Sequence, residues 1–265
     1  MSLRINNNVE AFNAHRQLTG TSDKVARSME RLSSGYRINR AADDAAGLAI
    51  SEKLRGQIGG LAQAQRNSQD AVSLVQTAEG SLNEVHSMLQ RVRELAVQYQ
   101  AGTLSTSDKA AITAETAQLS SEIERIGKAA AFNGIKLLDG STTTVTFQVG
   151  ANDGDVIAVT TASLGQKVGA IDVTTTTSIS AIDAAIGEVS TLRGGFGAVQ
   201  NRLDHTLNNL RTYQENLMAS ESRIRDVDMA AEMVAFSKNQ ILQQAGTSML
   251  AQANQAPQSV LSLLR

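Results

Sequence analysis

From Leu54 to Ala96 the chain repeats a three-then-four spacing with hardly a break, through Leu54, Ile58, Leu61, Gln65, Ser68, Val72, Val75, Ala78, Leu82, Val85, Leu89, Val92 and Ala96. Residues three and four apart share one face of an α-helix, so a stripe of this length predicts the seam of a coiled coil or long bundle helix. Asp43 and Asp44 precede it as candidate caps. The predicted helix covers residues 44–99 and extends about 80 Å, far more than one compact domain needs. Composition agrees with lengthwise packing. Aromatic residues make up 3% of the chain and Trp is absent, so burial must come from many small aliphatic contacts along extended interfaces.

Other segments carry the same period. Ile5, Val9 and Phe12 repeat at four and three, and after a phase slip Leu18, Val25, Met29 and Leu32 resume it, which predicts an amphipathic first helix. The passage SSGYRINRAADDAAG then reads as a loop. Beyond AGTLSTSD, with Ser107 or Asp108 as the expected cap, Ile112, Leu119, Ile123 and Ile126 predict a third helix folding back on the second. Residues 132–177 differ: VTFQV and VIAV flank GANDGD, a β-hairpin signal, and TTTTS reads as a connector or solvated edge strand. Ser180 to Asp183 resembles a capping box opening a fourth helix through Ile182, Ile186, Val189, Leu192, Phe196, Val199, Leu203, Leu210 and Leu217. Gly194, Gly195 and Gly197 predict a bend or a close helix contact within it. A last helix, from Ser222 through Val227, Val234, Ile241, Ala245 and Met249, is expected to stop near Ala256, because Pro257 disfavours the helical conformation before it.

The predicted fold is mainly α: a long antiparallel coiled-coil or helical bundle with a small β-hairpin region in mid-chain and terminal helices that pair with each other. Four parts are expected, at residues 1–40, 41–178, 179–221 and 222–265.

Chemistry is sparse. His15, His86 and His205 fall on three different helices with no second ligand at metal spacing, and with no cysteine there is neither a thiolate site nor a disulfide. No HExxH, GxSxG or GxxxxGK[ST] motif occurs, and GGFG lacks the preceding strand of a dinucleotide loop. No cofactor, metal or enzymatic activity is expected. A formal net charge of −2 gives no footprint for nucleic acid, and no apolar run is long enough to span a bilayer, so neither partner is expected. The N-terminus lacks the apolar core of a removable secretory peptide.

Association remains. Residues 239–264 carry no charged side chain, and Ile241, Leu242, Met249, Leu250, Val260, Leu261 and Leu264 lie among glutamines and small residues. A helix neutral on every side seeks burial against several neighbours, and this chain supplies one obvious partner, its first helix. Ile5, Val9, Phe12, Leu18, Val25 and Leu32 on that helix, with Val234 and the residues just named, are the candidate assembly positions. The others who would cover them are further copies.

These residues also carry a family resemblance. LSSGYRINRAADDAAGLAIS, NSQDAVSLVQTAEGSLNEV, QRVRELAVQ, FNGIKLL, QVGANDGD, SRIRDVD and SKNQILQQAGTSMLAQANQ occur in the order seen in bacterial flagellins, and together the chain resembles a minimal flagellin without large outer variable domains. The resemblance implies an inner tube of paired terminal helices, an outer tube of central helices and β segment, and an extracellular, homo-oligomeric filament for motility. It implies unfolded type III export, an export chaperone, assembly at the tip under a cap protein, and contact with hook-junction proteins. It also implies recognition of the monomer by the flagellin-sensing Toll-like receptor, an innate immune receptor, through Arg91, Leu95 and Glu115. A hook–filament junction protein shares the terminal pattern; a membrane-inserting translocator is disfavoured by Pro257 and by the many Gln and Asn near the C-terminus.

Overall fold

The computed structural model describes residues 8–161, 163, 164 and 178–263, with side chains described as far as residue 255. The described residues form five long helices, α1 (Val9–Ser34), α2 (Ala45–Tyr99), α3 (Thr106–Ala129), α4 (Ser178–Arg225) and α5 (Met229–Leu263), with four short strands between α3 and α4 in sequence. The strands are β1 (Ala131–Phe132), β2 (Ile135–Lys136), β3 (Thr144–Gln148) and β4 (Val156–Thr160), joined as two antiparallel hairpins. Two compact units result: residues 57–215, and residues 1–56 with 216–265.

In the central unit the α2 stripe is the spine of the core. Leu74, Val75, Leu82, Val85 and Leu89 are closed off from solvent and pack with Ile123 of α3, Ile157 and Val159 of β4, and Val189, Phe196 and Leu203 of α4. At about 25 cal/mol per Å² of buried apolar surface, each fully enclosed aliphatic side chain stabilises this unit by roughly 2 kcal/mol. The FNG turn joining β1 to β2 places Asn133 at φ 47° and Gly134 at φ 80°, the paired left-handed conformation of a tight two-residue hairpin. In the β3–β4 hairpin Val149 N–H donates to Asp155 O, and a β-carbon at Gly150 would fall 2.4 Å from the Asp155 side chain, so only glycine fits there.

Several local expectations need correction. Ser105, rather than Ser107 or Asp108, caps α3: its Oγ accepts from Asp108 N–H while the Asp108 carboxylate accepts from Ser105 N–H, a reciprocal capping box. Hydrogen bonds from the Ser105 side chain and backbone hold the Asp108 carboxyl below its ordinary pKa. Conversely, no capping box forms at Ser180, because α4 is already helical at Ser178 and Asp183 accepts from Arg93 Nε at 2.6 Å instead. Gly194, Gly195 and Gly197 lie inside unbroken α4, and a β-carbon on any of them would meet nothing within 4 Å, so no close helix contact occurs there. Of the two expected caps of α2 only Asp44 serves, its Oδ1 accepting from Gly47 N–H at 2.8 Å; Asp43 instead accepts from the N–H groups of Asn39 and Arg40 in the loop before it. Thr174 to Thr177 lie outside the described residues.

The terminal unit is built around a stitched junction. Gly35 ends α1 in the left-handed conformation, and Tyr36 and Asp226 form an antiparallel bridge, with Arg37 N–H donating to Arg225 O and Val227 N–H to Gly35 O. Arg225 lies over the Tyr36 ring at 4.9 Å and donates to Glu52 at 2.7 Å. That hydrogen bond, ahead of the nearby Arg55 charge, holds the Glu52 carboxyl below its ordinary pKa. The last helix starts at Met229, not Ser222, because α4 runs on to Arg225 and Asp228 Oδ1 then accepts from the N–H groups of Ala230 and Ala231 as a new N-cap.

Candidate assembly surface

The first and last helices run antiparallel: Asn8 reaches Ala253, Leu18 meets Gly246, and Arg31 pairs with Glu232. The phase slip read between Phe12 and Leu18 separates two faces of α1. Val9, Phe12 and, against the expected register, Met29 face outward, whereas Leu18, Val25 and Leu32 turn inward in one stripe with Asn8, Ala11, Ala14, Thr21 and Ser28. From α5, Phe236, Asn239, Gln243, Gly246, Leu250 and Ala253 face it. Most of these side chains are small or polar, which lets the two backbones approach. A β-carbon on Gly246 would already sit 3.2 Å from Leu18 Cδ1.

A second set of large apolar residues is left outside. Phe12 is 73% exposed, Val234 70%, Ile241 66%, Met249 64% and Val9 55%, and Leu242 is exposed beside them. Val234, Ile241 and Met249, in register as expected, thus form a stripe on the face of α5 turned away from α1. Ile5 and Leu264 lie outside the described residues, and Val260 and Leu261 are described only as helical backbone.

Contrary to expectation, α5 continues as helix through Pro257 to Leu263. Proline lacks the N–H that would reach the carbonyl four residues back, here that of Ala253. Asn8 Nδ2 donates to Ala253 O at 2.8 Å, while its Oδ1 accepts from Ala11 N–H at 3.0 Å. One carboxamide therefore caps α1 and satisfies the acceptor that Pro257 leaves free. Sequence reasoning saw the proline and missed its partner, which lies 245 residues away.

In the central unit Arg91 of α2 bridges to α3. Its Nε and Nη2 donate to Glu115 Oε1 at 3.0 and 2.9 Å, and its Nη1 donates to Glu94 at 3.2 Å. Hydrogen bonds donated to Glu115 and then Glu94 raise the Arg91 pKa further above its ordinary value. Both members of the Arg91–Glu115 pair are about half exposed, at 51% and 45%, whereas Leu95 is only 2% exposed. The structure thus brings Arg91 and Glu115 together at the surface and sets Leu95 in the core. A groove of 690 Å³ between α2, the β3–β4 loop and α4, with Asp155, Arg202, His205 and Tyr213 on its walls, was not anticipated from sequence, since three distant segments build it. Among the described residues no cluster of three or more His, Asp or Glu side chains is placed to hold a metal ion, and no helix is long and apolar enough to cross a membrane.

Family models decide what such a molecule is. The bacterial flagellin N-terminal helical region matches residues 5–143, and the bacterial flagellin C-terminal helical region matches residues 179–264. The chain belongs to the bacterial flagellin family. Among its relatives, the flagellin of Halalkalibacterium halodurans is 54% identical, over 98% of this chain and 99% of its own. That of Bacillus subtilis is 48% identical over 99% and 100%, and the flagellar filament 33 kDa core protein of Treponema phagedenis is 46% identical over 98% and 99%. The crystal structure of Bacillus cereus flagellin superposes with a TM-score of 0.51 at 32% identity, covering 55% of this chain and 88% of that one. This flagellin, of minimal size, is a structural subunit of the extracellular flagellar filament, a polymer of many identical copies.

Proposed function

We propose that the outward apolar stripe of the α1–α5 pair is the surface by which copies of this flagellin assemble into the inner wall of the filament. Residues 1–40 and 222–265 form that wall in this reading, and residues 41–178 with 179–221 form the outer one. The observation that carries it is the apolar face left uncovered: Phe12, Val234, Ile241 and Met249 point outward from a pair whose seam mixes a few large residues with many small and polar ones. Folding costs about 1–2 kcal/mol of backbone entropy per residue, and a seam with one partner helix, in which Leu18, Val25, Leu32, Phe236 and Leu250 are only partly buried, returns little of it. In the monomer the pair is therefore disordered and suited to unfolded export with a chaperone, and it folds as neighbours cover the stripe at the tip beneath the cap. Contact with hook-junction proteins at the filament base follows from the same pairing. The subunit carries no enzymatic activity.

The test is seeded polymerisation of purified monomer, followed by sedimentation and microscopy, beside a truncation lacking residues 239–265. Elongation by the full chain alone supports the reading. Full-length protein that caps seeds without extending them points to the hook–filament junction role instead.

Recognition of the monomer by the flagellin-sensing Toll-like receptor is part of the same proposal. Arg91 and Glu115 supply a paired, half-exposed charge for it, and buried Leu95 fixes the backbone beneath them. Receptor reporter cells should respond far more weakly to Arg91→Ala monomer; an unchanged response removes this part of the proposal.

A further inference from the structure

Five of the six methionines among the described residues gather on one unit. Met29, Met218, Met229, Met233 and Met249 are each at least 49% exposed, and all belong to the terminal unit, while Met88 of the central unit is half-buried. Met229 and Met233 are one turn apart on α5. Met29 lies at their level on α1, because Arg31 pairs with Glu232 there. Met249 lies near the level of Phe12, between the Leu18–Gly246 and Asn8–Ala253 contacts. Met249 therefore sits on the face of α5 that holds Val234 and Ile241, while Met29, Met229 and Met233 lie exposed on other parts of the same helix pair and Met218 stands exposed on α4 of the same unit. An unbranched, polarisable side chain adapts to several neighbours, which suits a surface covered by more than one copy.

The same side chain is the oxidisable one. Resting on the assembly reading above, we propose that these methionines form an oxidation-sensitive site, modified in the free monomer by two-electron oxidants of the peroxide class and shielded once the subunit is incorporated. The sulfur lone pair attacks one oxygen of hydrogen peroxide and the O–O bond breaks. Sulfur takes that oxygen as a sulfoxide and loses two electrons, and the other oxygen leaves as water after proton transfer. The product is polar and chiral where an apolar, flexible group is needed. Oxidised monomer is thereby excluded from growth, and filament already built is spared.

Purified monomer would be treated with hydrogen peroxide, quenched with catalase, mapped for sulfoxide by mass spectrometry, and added to seeds. Elongation should fall about tenfold or more with sulfoxide at Met229, Met233 and Met249, and methionine sulfoxide reductases A and B together should restore it. A variant with Met29, Met218, Met229, Met233 and Met249 all changed to Leu should elongate untreated and keep its rate after peroxide, Met1 and Met88 remaining as controls. Oxidised wild type that elongates at the untreated rate overturns the proposal. So does a Leu variant that elongates untreated but loses elongation after peroxide. Should the Leu variant fail to elongate before treatment, reductase rescue of wild type decides: restored elongation upholds the proposal, and its absence overturns it. Failure of untreated wild type to elongate is a separate result and counts against the assembly reading itself.

Discussion

Leu82 and Leu18 hold equivalent steps of a three-and-four seam, yet Leu82 is enclosed on all sides and Leu18 remains half-exposed. Around Leu82 two other helices and a β-hairpin converge, so large residues point inward and the unit closes on itself. Around Leu18 there is a single antiparallel partner, so its seam stays partly open and Phe12, Val234, Ile241 and Met249 are left outside it. A helix pair built this way is an incomplete core. In the proposed assembly, neighbouring copies complete it.

The sharpest way to break this contrast is one truncation in each region. Leu82→Ala leaves a cavity in a closed core and should lower the unfolding free energy of the monomer by about 2–5 kcal/mol, measured by urea denaturation. Ile241→Ala should change that quantity by less than about 0.5 kcal/mol, because an exposed side chain has little to lose in the monomer, while raising the critical concentration for polymerisation several-fold. Equal monomer destabilisation by both variants would mean that the terminal pair is a self-sufficient core.

Close approach within the pair gives the next effect. Gly246→Val must displace Leu18 Cδ1, which stands 3.2 Å from the new β-carbon, and overpacking of this kind costs about 1–3 kcal/mol. The filament should depolymerise at a lower temperature, with the monomer's denaturation curve unmoved.

Pattern reading recovered the elements of the central unit well, since a buried stripe such as Leu82, Val85 and Leu89 announces both its helix and its burial. On α1 the phase slip between Phe12 and Leu18 marks a change of face, with Leu18, Val25 and Leu32 in the seam and Val9 and Phe12 outside it. The remainder of that seam, Ala11, Ala14, Thr21 and Ser28, is nearly silent on a hydrophobicity scale and was not read from the pattern. Pro257 misled for a different reason: its local rule is sound, but the Ala253 carbonyl it frees is satisfied from the far end of the chain. Caps were legible as to type and less so as to position, with Ser105 and Asp108 sharing a role assigned to Ser107 or Asp108 alone.

Asn8 and Pro257 sharpen the comparison by a double-mutant cycle on filament stability. Asn8→Ala leaves Ala253 O without its donor and should cost about 1 kcal/mol per subunit contact, read as a lower depolymerisation temperature. Pro257→Ala restores the intrahelical N–H to that carbonyl, so Asn8→Ala should cost less in the Pro257→Ala background. Strict additivity would show that the Asn8 hydrogen bond is incidental.

The smallest effect belongs to the α3 cap, in the unit that closes on itself. Asp108 has an ordinary pKa of 3.8, lowered in the folded state by hydrogen bonds from the Ser105 side chain and backbone. A lowered folded pKa means that the carboxylate's contribution is fully present above 3.8 and is lost as pH falls through the folded value. Asp108→Asn, which cannot ionise, should therefore lower the melting temperature of the monomer at neutral pH by a few degrees at most, and the gap from wild type should narrow as the pH is taken below 3.8. Depolymerisation of the filament at neutral pH should be far less affected, because the cap lies in the unit whose packing is complete without neighbours. A gap that stays constant into acid would assign the effect to side-chain shape at Asp108, with its charge playing no part.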